Sequence, residues 1–113
     1  MKILLLLLFA ALTVAVPAYA TVTVTTPTAN STVTSPVHYV ASATTSTCTK
    51  GVASMGIYVN NQKIYVVSGT KLDTSIPLAP GNEHTVVEEW DKCGGATTAS
   101  INLTVHSGSS TTL

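Results

Sequence analysis

The chain has no arginine, and only 9% of its 113 residues are charged. Five lysines balance five acids, so the formal net charge is zero. Nucleic-acid binding draws on clustered cations that displace counterions from phosphate, and no such cluster exists here. A polybasic patch for anionic lipid is missing for the same reason. There is no Gly-x-Ser-x-Gly elbow, no P-loop and no dinucleotide-binding glycine pattern. The histidines, His38, His84 and His106, are scattered, and a metal centre needs ligands that converge. Asp73, Asp91 and Glu89 form no clustered acidic loop of the kind that holds calcium. These absences set the expectation of a chain without cofactor, metal or catalysis.

The first twenty residues stand apart. Lys2 is a short positive start, Ile3 to Val16 is apolar, Pro17 breaks the run, and Ala18-Tyr19-Ala20 has the small-x-small form of a cleavage site. A run of about 14 residues falls short of the roughly 20 that span a bilayer. Residues 1–20 therefore read as a signal peptide. That reading predicts a secreted or extracytoplasmic protein, not inserted in the membrane after cleavage. In the remaining 93 residues, 30 are Thr or Ser, a composition that suits an exported all-β module because Thr favours strands. A domain this small has a thin core and often needs a staple. Its two cysteines, Cys48 and Cys93, read as a disulfide once the chain is exported. Closing a loop of about 45 residues is worth about 4 kcal/mol in the chain-entropy model.

After Ala20 no stretch has a helical period; strand-like runs recur between Pro, Gly, Asn and Ser. Thr21 to Thr25 alternates strictly. Pro27 to Pro36 reads as a turn region. Val37 to Thr44 puts Val37, Tyr39, Ala41 and Ala43 on one face. Ala53 to Val59 and Gln62 to Val67 flank Asn60-Asn61, a two-residue hairpin turn of the type that demands positive φ. Unbroken pairing from that turn gives Met55, Ile57, Val59, Ile64 and Val66 one apolar face. It leaves Gly56, Tyr58, Lys63 and Tyr65 on the other, with Tyr65 covering Gly56. Leu72 to Leu78 is a short extended segment that Pro77 confines to an edge. Glu83 to Asp91 and Ala99 to Val105 complete seven strands, the last with Ala99, Ile101, Leu103 and Val105 inward. That count and spacing indicate a sandwich or barrel. Residues 106–113 form a Ser/Thr/Gly-rich tail.

The densest chemistry is Glu88-Glu89-Trp90-Asp91-Lys92-Cys93-Gly94-Gly95, with four of the charged residues, the only Trp and one Cys. The run Thr21-Val22-Thr23-Val24…Pro27, the segment Ser35-Pro36-Val37 to Ala43, and Ile57-Tyr58-Val59-Asn60-Asn61 resemble bacterial Ig-like domains of exported proteins. So does Leu72-Asp73-Thr74…Pro80-Gly81 followed by Thr85 to Gly95. A subgroup of those domains carries a Trp-Asp-x-Cys-Gly-Gly corner between strands F and G. The resemblance covers most of 21–105. It implies a single Ig-like Greek-key β-sandwich of about seven antiparallel strands, acting as a passive binding or spacer module without catalytic residues. Such domains usually occur in tandem or attached to larger proteins, and one copy here tells against a pure spacer. In a bacterial chain the sequons Asn30-Ser31-Thr32 and Asn102-Leu103-Thr104 read as coincidence.

On the implied topology, Cys48 lies in the B–C loop and Cys93 in the F–G loop, so the bond ties the rim of the sandwich. Gly94 and Gly95 supply turn conformations, and Asp91 accepts backbone N–H groups in a structural corner. Strand alternation sends either Glu89 or Trp90 inward; we favour Thr85, Val87 and Glu89 inward, with Glu89 at the rim and hydrogen-bonded. An unpaired buried carboxylate raises its pKa instead. One such glutamate without a second carboxylate does not make a glycosidase. Trp90, Tyr58 and Tyr65 then share an outer face. Two readings of it stand side by side: local cover for Gly56 and the disulfide, or a binding face. The expected function is an exported non-catalytic binding or structural module for adhesion or protein interaction, its partner a protein or an extracellular glycan. A carbohydrate-binding module that uses the aromatic face is the alternative, followed by a small enzyme or inhibitor.

Overall fold

The computed structural model describes residues 20–107. The expected leader, Ala20 apart, and the tail from 108 onward lie outside the described residues. Alternation of polar and apolar residues makes eight strands and, among the described residues, no helix. They are β1 (Thr21–Thr26), β2 (Ser31–Thr34), β3 (Val37–Thr44), β4 (Val52–Val59), β5 (Gln62–Ser68), β6 (Lys71–Ile76), β7 (Gly81–Asp91) and β8 (Ala96–His106). One sheet has the order β1-β3-β6 and the other β2-β8-β7-β4-β5. The chain passes between the sheets at β1 to β2, β2 to β3, β3 to β4, β5 to β6 and β6 to β7, the connectivity of an Ig-like Greek-key sandwich.

The core forms between the sheets. Val37, Tyr39, Ala41 and Ala43 of β3 with Leu72 and Ile76 of β6 face Met55 and Ile57 of β4, Val87 of β7, and Ile101, Leu103 and Val105 of β8. Large apolar side chains buried this way each contribute about 1.5–3 kcal/mol. Inside the core the Thr85 hydroxyl donates to the Ile101 carbonyl at 2.5 Å. Burial pushes the Tyr39 phenol pKa up, with the Thr85 hydroxyl and Glu83 as its polar neighbours.

Two expectations need correction. The stretch read as a turn region contains β2, which pairs in parallel with the end of β8, Val33 opposite Val105. Four residues flanked by prolines carry too short an alternation to stand out, and a parallel pairing at a sheet edge leaves no hairpin signal. The strands are therefore eight, and one pairing is not antiparallel. The second correction lies in β5. Val59↔Gln62 and Tyr58↔Lys63 pair directly, but the next partners are Ile57↔Tyr65 and Gly56↔Val66. Ile64 is an extra residue, a β-bulge that flips every later side chain to the other face. Tyr65 and Val67 consequently pack against the core, while Ile64 and Val66 are 43% and 48% exposed.

Asn60 and Asn61 have φ of 49° and 70°, so both adopt the left-handed conformation of the tight hairpin turn. Asn60 also reaches across to β7. Its Nδ2 donates to Glu83 Oε2 at 2.6 Å, and its Oδ1 accepts from the His84 N–H at 3.1 Å. Glu83 is buried, so losing that donor strands a carboxylate. Asn60→Gly keeps the turn and loses the bridge; we expect a loss of about 1–3 kcal/mol in urea denaturation. Asn60→Ala adds the strain of positive φ, about 1–2 kcal/mol more. Equal stability of the two variants contradicts this account of the turn.

Candidate functional site

The outer face of the five-stranded sheet gathers the aromatic chemistry. Register places Ser54 opposite Trp90, Gly56 opposite Glu88 and Tyr58 opposite Val86, so these residues share one surface. The six-membered ring of the Trp90 indole packs over Gly56. A Cβ on that glycine would sit 2.8 Å from Trp90 Cη2 and 2.9 Å from Cζ3, so only glycine admits the ring. The Tyr58 ring tilts against it, with centroids 6.3 Å apart and planes at 51°. Lys63 Nζ stands 5.6 Å from the indole centroid, a cation–π contact worth about 0.5–1 kcal/mol at an exposed site. Burial among these groups raises the Glu88 carboxyl above its usual range, while Lys63 and the Trp90 indole pull it back down. Tyr65 does not join this face. The space over Gly56 is filled by Trp90 from β7, and the bulge at Ile64 turns Tyr65 inward.

At the adjoining rim, Cys48 and Cys93 form a disulfide with Cα atoms 5.8 Å apart. It ties the β3–β4 loop to the β7–β8 turn, and the Lys92 N–H adds a bond to the Gly51 carbonyl at 3.0 Å. Asp91 organises the turn. Its Oδ1 accepts from the Cys93 N–H at 2.8 Å and from the Gly95 N–H at 2.9 Å. Gly94 has φ of 90°. At Gly95 a side chain would run into the Asp91 carboxylate, which occupies the place of its Cβ. Among the described residues, one His/Cys/Asp/Glu grouping has metal-ligand proximity: Cys48, Asp91 and Cys93. Both sulfurs are consumed in the disulfide, and among the described residues Asp73, Asp91 and Glu89 do not come together. Asp73 instead pairs with His38 at 2.7 Å on the other sheet.

Glu89 points into the core and is 0% exposed. Neither carboxylate oxygen has a hydrogen-bond partner, in contrast to the hydrogen-bonded rim position expected from sequence. Both neighbours across the ladder, Met55 and Thr97, fail to supply one. Burial pushes its pKa up, and Asp91 and Glu88 push it further.

Sequence reasoning missed a second feature. A depression of about 490 Å³ opens at the pole opposite the disulfide, lined by Asn30, Asn60, Asn82, His84, Asn102 and Thr104 among others. Each asparagine taken alone reads as turn or strand-end chemistry. The signal lay in His84 and Asn102 having the same outward parity on adjacent strands.

The fold and this geometry define an Ig-like β-sandwich. Among solved structures, the chain is similar to one described as "Structures of Clostridium thermocellum CbhA fibronectin(III)-like modules". The likeness has a TM-score of 0.68 at 19% identity, over 80% of this chain and 48% of that one, so this chain spans about half its length. No family model matches the chain, and no curated protein does.

The buried carboxyl makes a pH prediction. The folded pKa of Glu89 lies above its unfolded value, so folding favours the protonated form. The associated stability is fully present below the unfolded pKa, about 4.3, and is lost as pH rises through the folded value. We expect Glu89→Gln to raise Tm at pH 7 and to flatten the decline in Tm that the unaltered protein should show as pH rises above about 4.3. A glutamine variant that melts earlier at pH 7 contradicts this.

Proposed function

We propose that the chain is an exported, non-catalytic Ig-like module that works by surface contact, through the outer face of its five-stranded sheet, in adhesion or protein interaction. Trp90 carries this reading: it lies on the outside beside Tyr58, and the exposed Ile64 and Val66 extend the apolar surface on β5. Apolar and aromatic groups gathered on one face of a small domain mark interaction sites. The leader-like residues 1–20 and the Cys48–Cys93 disulfide support export. The Asp91 turn supports kinship with the exported bacterial Ig-like domains that carry a Trp-Asp-x-Cys-Gly-Gly corner.

The carboxylates support the absence of catalysis. Glu88 and Glu89 are adjacent but point to opposite faces of the sheet, and Glu89 is sealed from solvent. They cannot bracket one scissile bond, as paired glycosidase carboxylates do. His38 and His84 are tied to Asp73 and Asn102 and not to a Ser, Thr or Cys nucleophile among the described residues.

Binding of the folded domain to intact cells and to their extracellular matrix tests the reading. Val66→Glu and Tyr58→Ala alter the face without touching the core, and each should weaken binding at least about tenfold. A His38→Ala control on the other sheet should leave binding unchanged. Equal binding by all three variants rules this face out as the contact surface.

A further inference from the structure

The outer face continues past Tyr58. Outward residues along β7 run Trp90, Glu88, Val86, His84 and Asn82, and their partners on β8 are Ala96, Thr98, Ser100, Asn102 and Thr104. Eight steps of strand separate Trp90 from Asn82, roughly 27 Å. The aromatic pair and the asparagine-lined depression are thus two ends of one surface, with a row of hydroxyls between them.

The polar groups of the depression are oriented before any ligand arrives. Asn60 is committed to Glu83 and the His84 backbone. Asn82 Oδ1 accepts from the Thr104 hydroxyl at 3.2 Å, and Asn102 Oδ1 lies 2.5 Å from His84 Nδ1. An amide oxygen only accepts, so the His84 tautomer that bonds it has its N–H at Nδ1 and leaves Nε2 facing outward as an acceptor. The amide Nδ2 groups of Asn82 and Asn102 remain as donors. Both residues are exposed, as is His84. Two donors and one acceptor, fixed on neighbouring strands, call for a ligand whose groups both donate and accept. Hydroxyl groups do so. Ring hydroxyls suit the depression, and the apolar faces of the same rings suit Tyr58 and Trp90. No excess of charge marks the face: Lys63 and Glu88 offset each other at the aromatic end, Asp91 and Lys92 do so at the adjoining rim, and Glu83 in the depression is buried and held by Asn60.

We propose that this face binds a neutral oligosaccharide laid along β7, with ring hydroxyls on His84, Asn82 and Asn102 and ring faces on Tyr58 and Trp90. The proposal rests on the surface-contact reading and adds the ligand class and three residues that reading does not use.

The test is NMR titration of the folded, disulfide-bonded domain with cellohexaose, xylohexaose, laminarihexaose, mannohexaose and chitohexaose, and with hexagalacturonate as an acidic comparison. For at least one neutral sugar we expect shifts at the Trp90 indole together with His84 and Asn102. Asn82→Ala and Asn102→Ala should each weaken that binding about tenfold, the loss of one hydrogen bond, with Tm unchanged. Shifts confined to Trp90 and Tyr58, with both variants binding normally, overturn the role of the depression and leave the contact face standing. Preference for the acidic sugar overturns the neutral class. No shift with any sugar overturns the proposal altogether. The Val66→Glu cell-binding assay then decides the surface-contact reading by itself, because it depends on no sugar.

Discussion

Strand β7 is clamped at both ends, and the clamps set which side chains enter the core. At one end Asn60 holds Glu83 and the His84 backbone; at the other Asp91 closes its turn on Cys93 and Gly95 beside the disulfide. Between the clamps the strand pairs without a break against β8, from Gly81↔Val105 to Trp90↔Ala96. A slip of one residue would exchange every inward and outward side chain on a strand at the centre of its sheet. Both clamps and the Thr85–Ile101 bond would be lost together.

Local hydrophobicity alone favours the opposite arrangement, Trp90 inside and Glu89 outside. The clamped parity prevails because Glu83, Thr85 and Val87 all have their places fixed by the same phase. The consequence is a carboxyl without partners in the core and the only Trp on the surface. Each has a local accommodation. Burial makes Glu89 hold its proton more tightly, and Trp90 finds a bare backbone at Gly56 to pack on. The two readings of the tryptophan are therefore not exclusive. The ring covers Gly56, and the same residue stays part of the outer surface with Tyr58 and Lys63.

Much of the fold was legible in the sequence where a single periodicity ran unbroken. The alternation of Val37, Tyr39, Ala41 and Ala43 and that of Ile101, Leu103 and Val105 identified core faces directly. Asn60-Asn61 identified a hairpin and its first two pairs, because few residues tolerate that turn. Legibility ended where geometry depended on a distant residue. The bulge at Ile64 breaks the alternation within β5, and the space over Gly56 is taken by Trp90, from a strand about thirty positions later. β2 exists only by pairing in parallel with β8. The depression draws its lining from the β4–β5 turn, β7, β8 and the segment before β2, so no short stretch announces it.

The functional account follows from the same parity, because it puts the aromatic pair and the asparagine-lined depression on one continuous face. The most direct test is the NMR contact map of the Trp90 indole in the folded domain. The account predicts strong nuclear Overhauser contacts from the indole ring to the Gly56 α protons and to Tyr58. Contacts instead to Met55, Ile57 or Val87 would place the indole in the core, invert the phase of β7 and contradict the structure of the face.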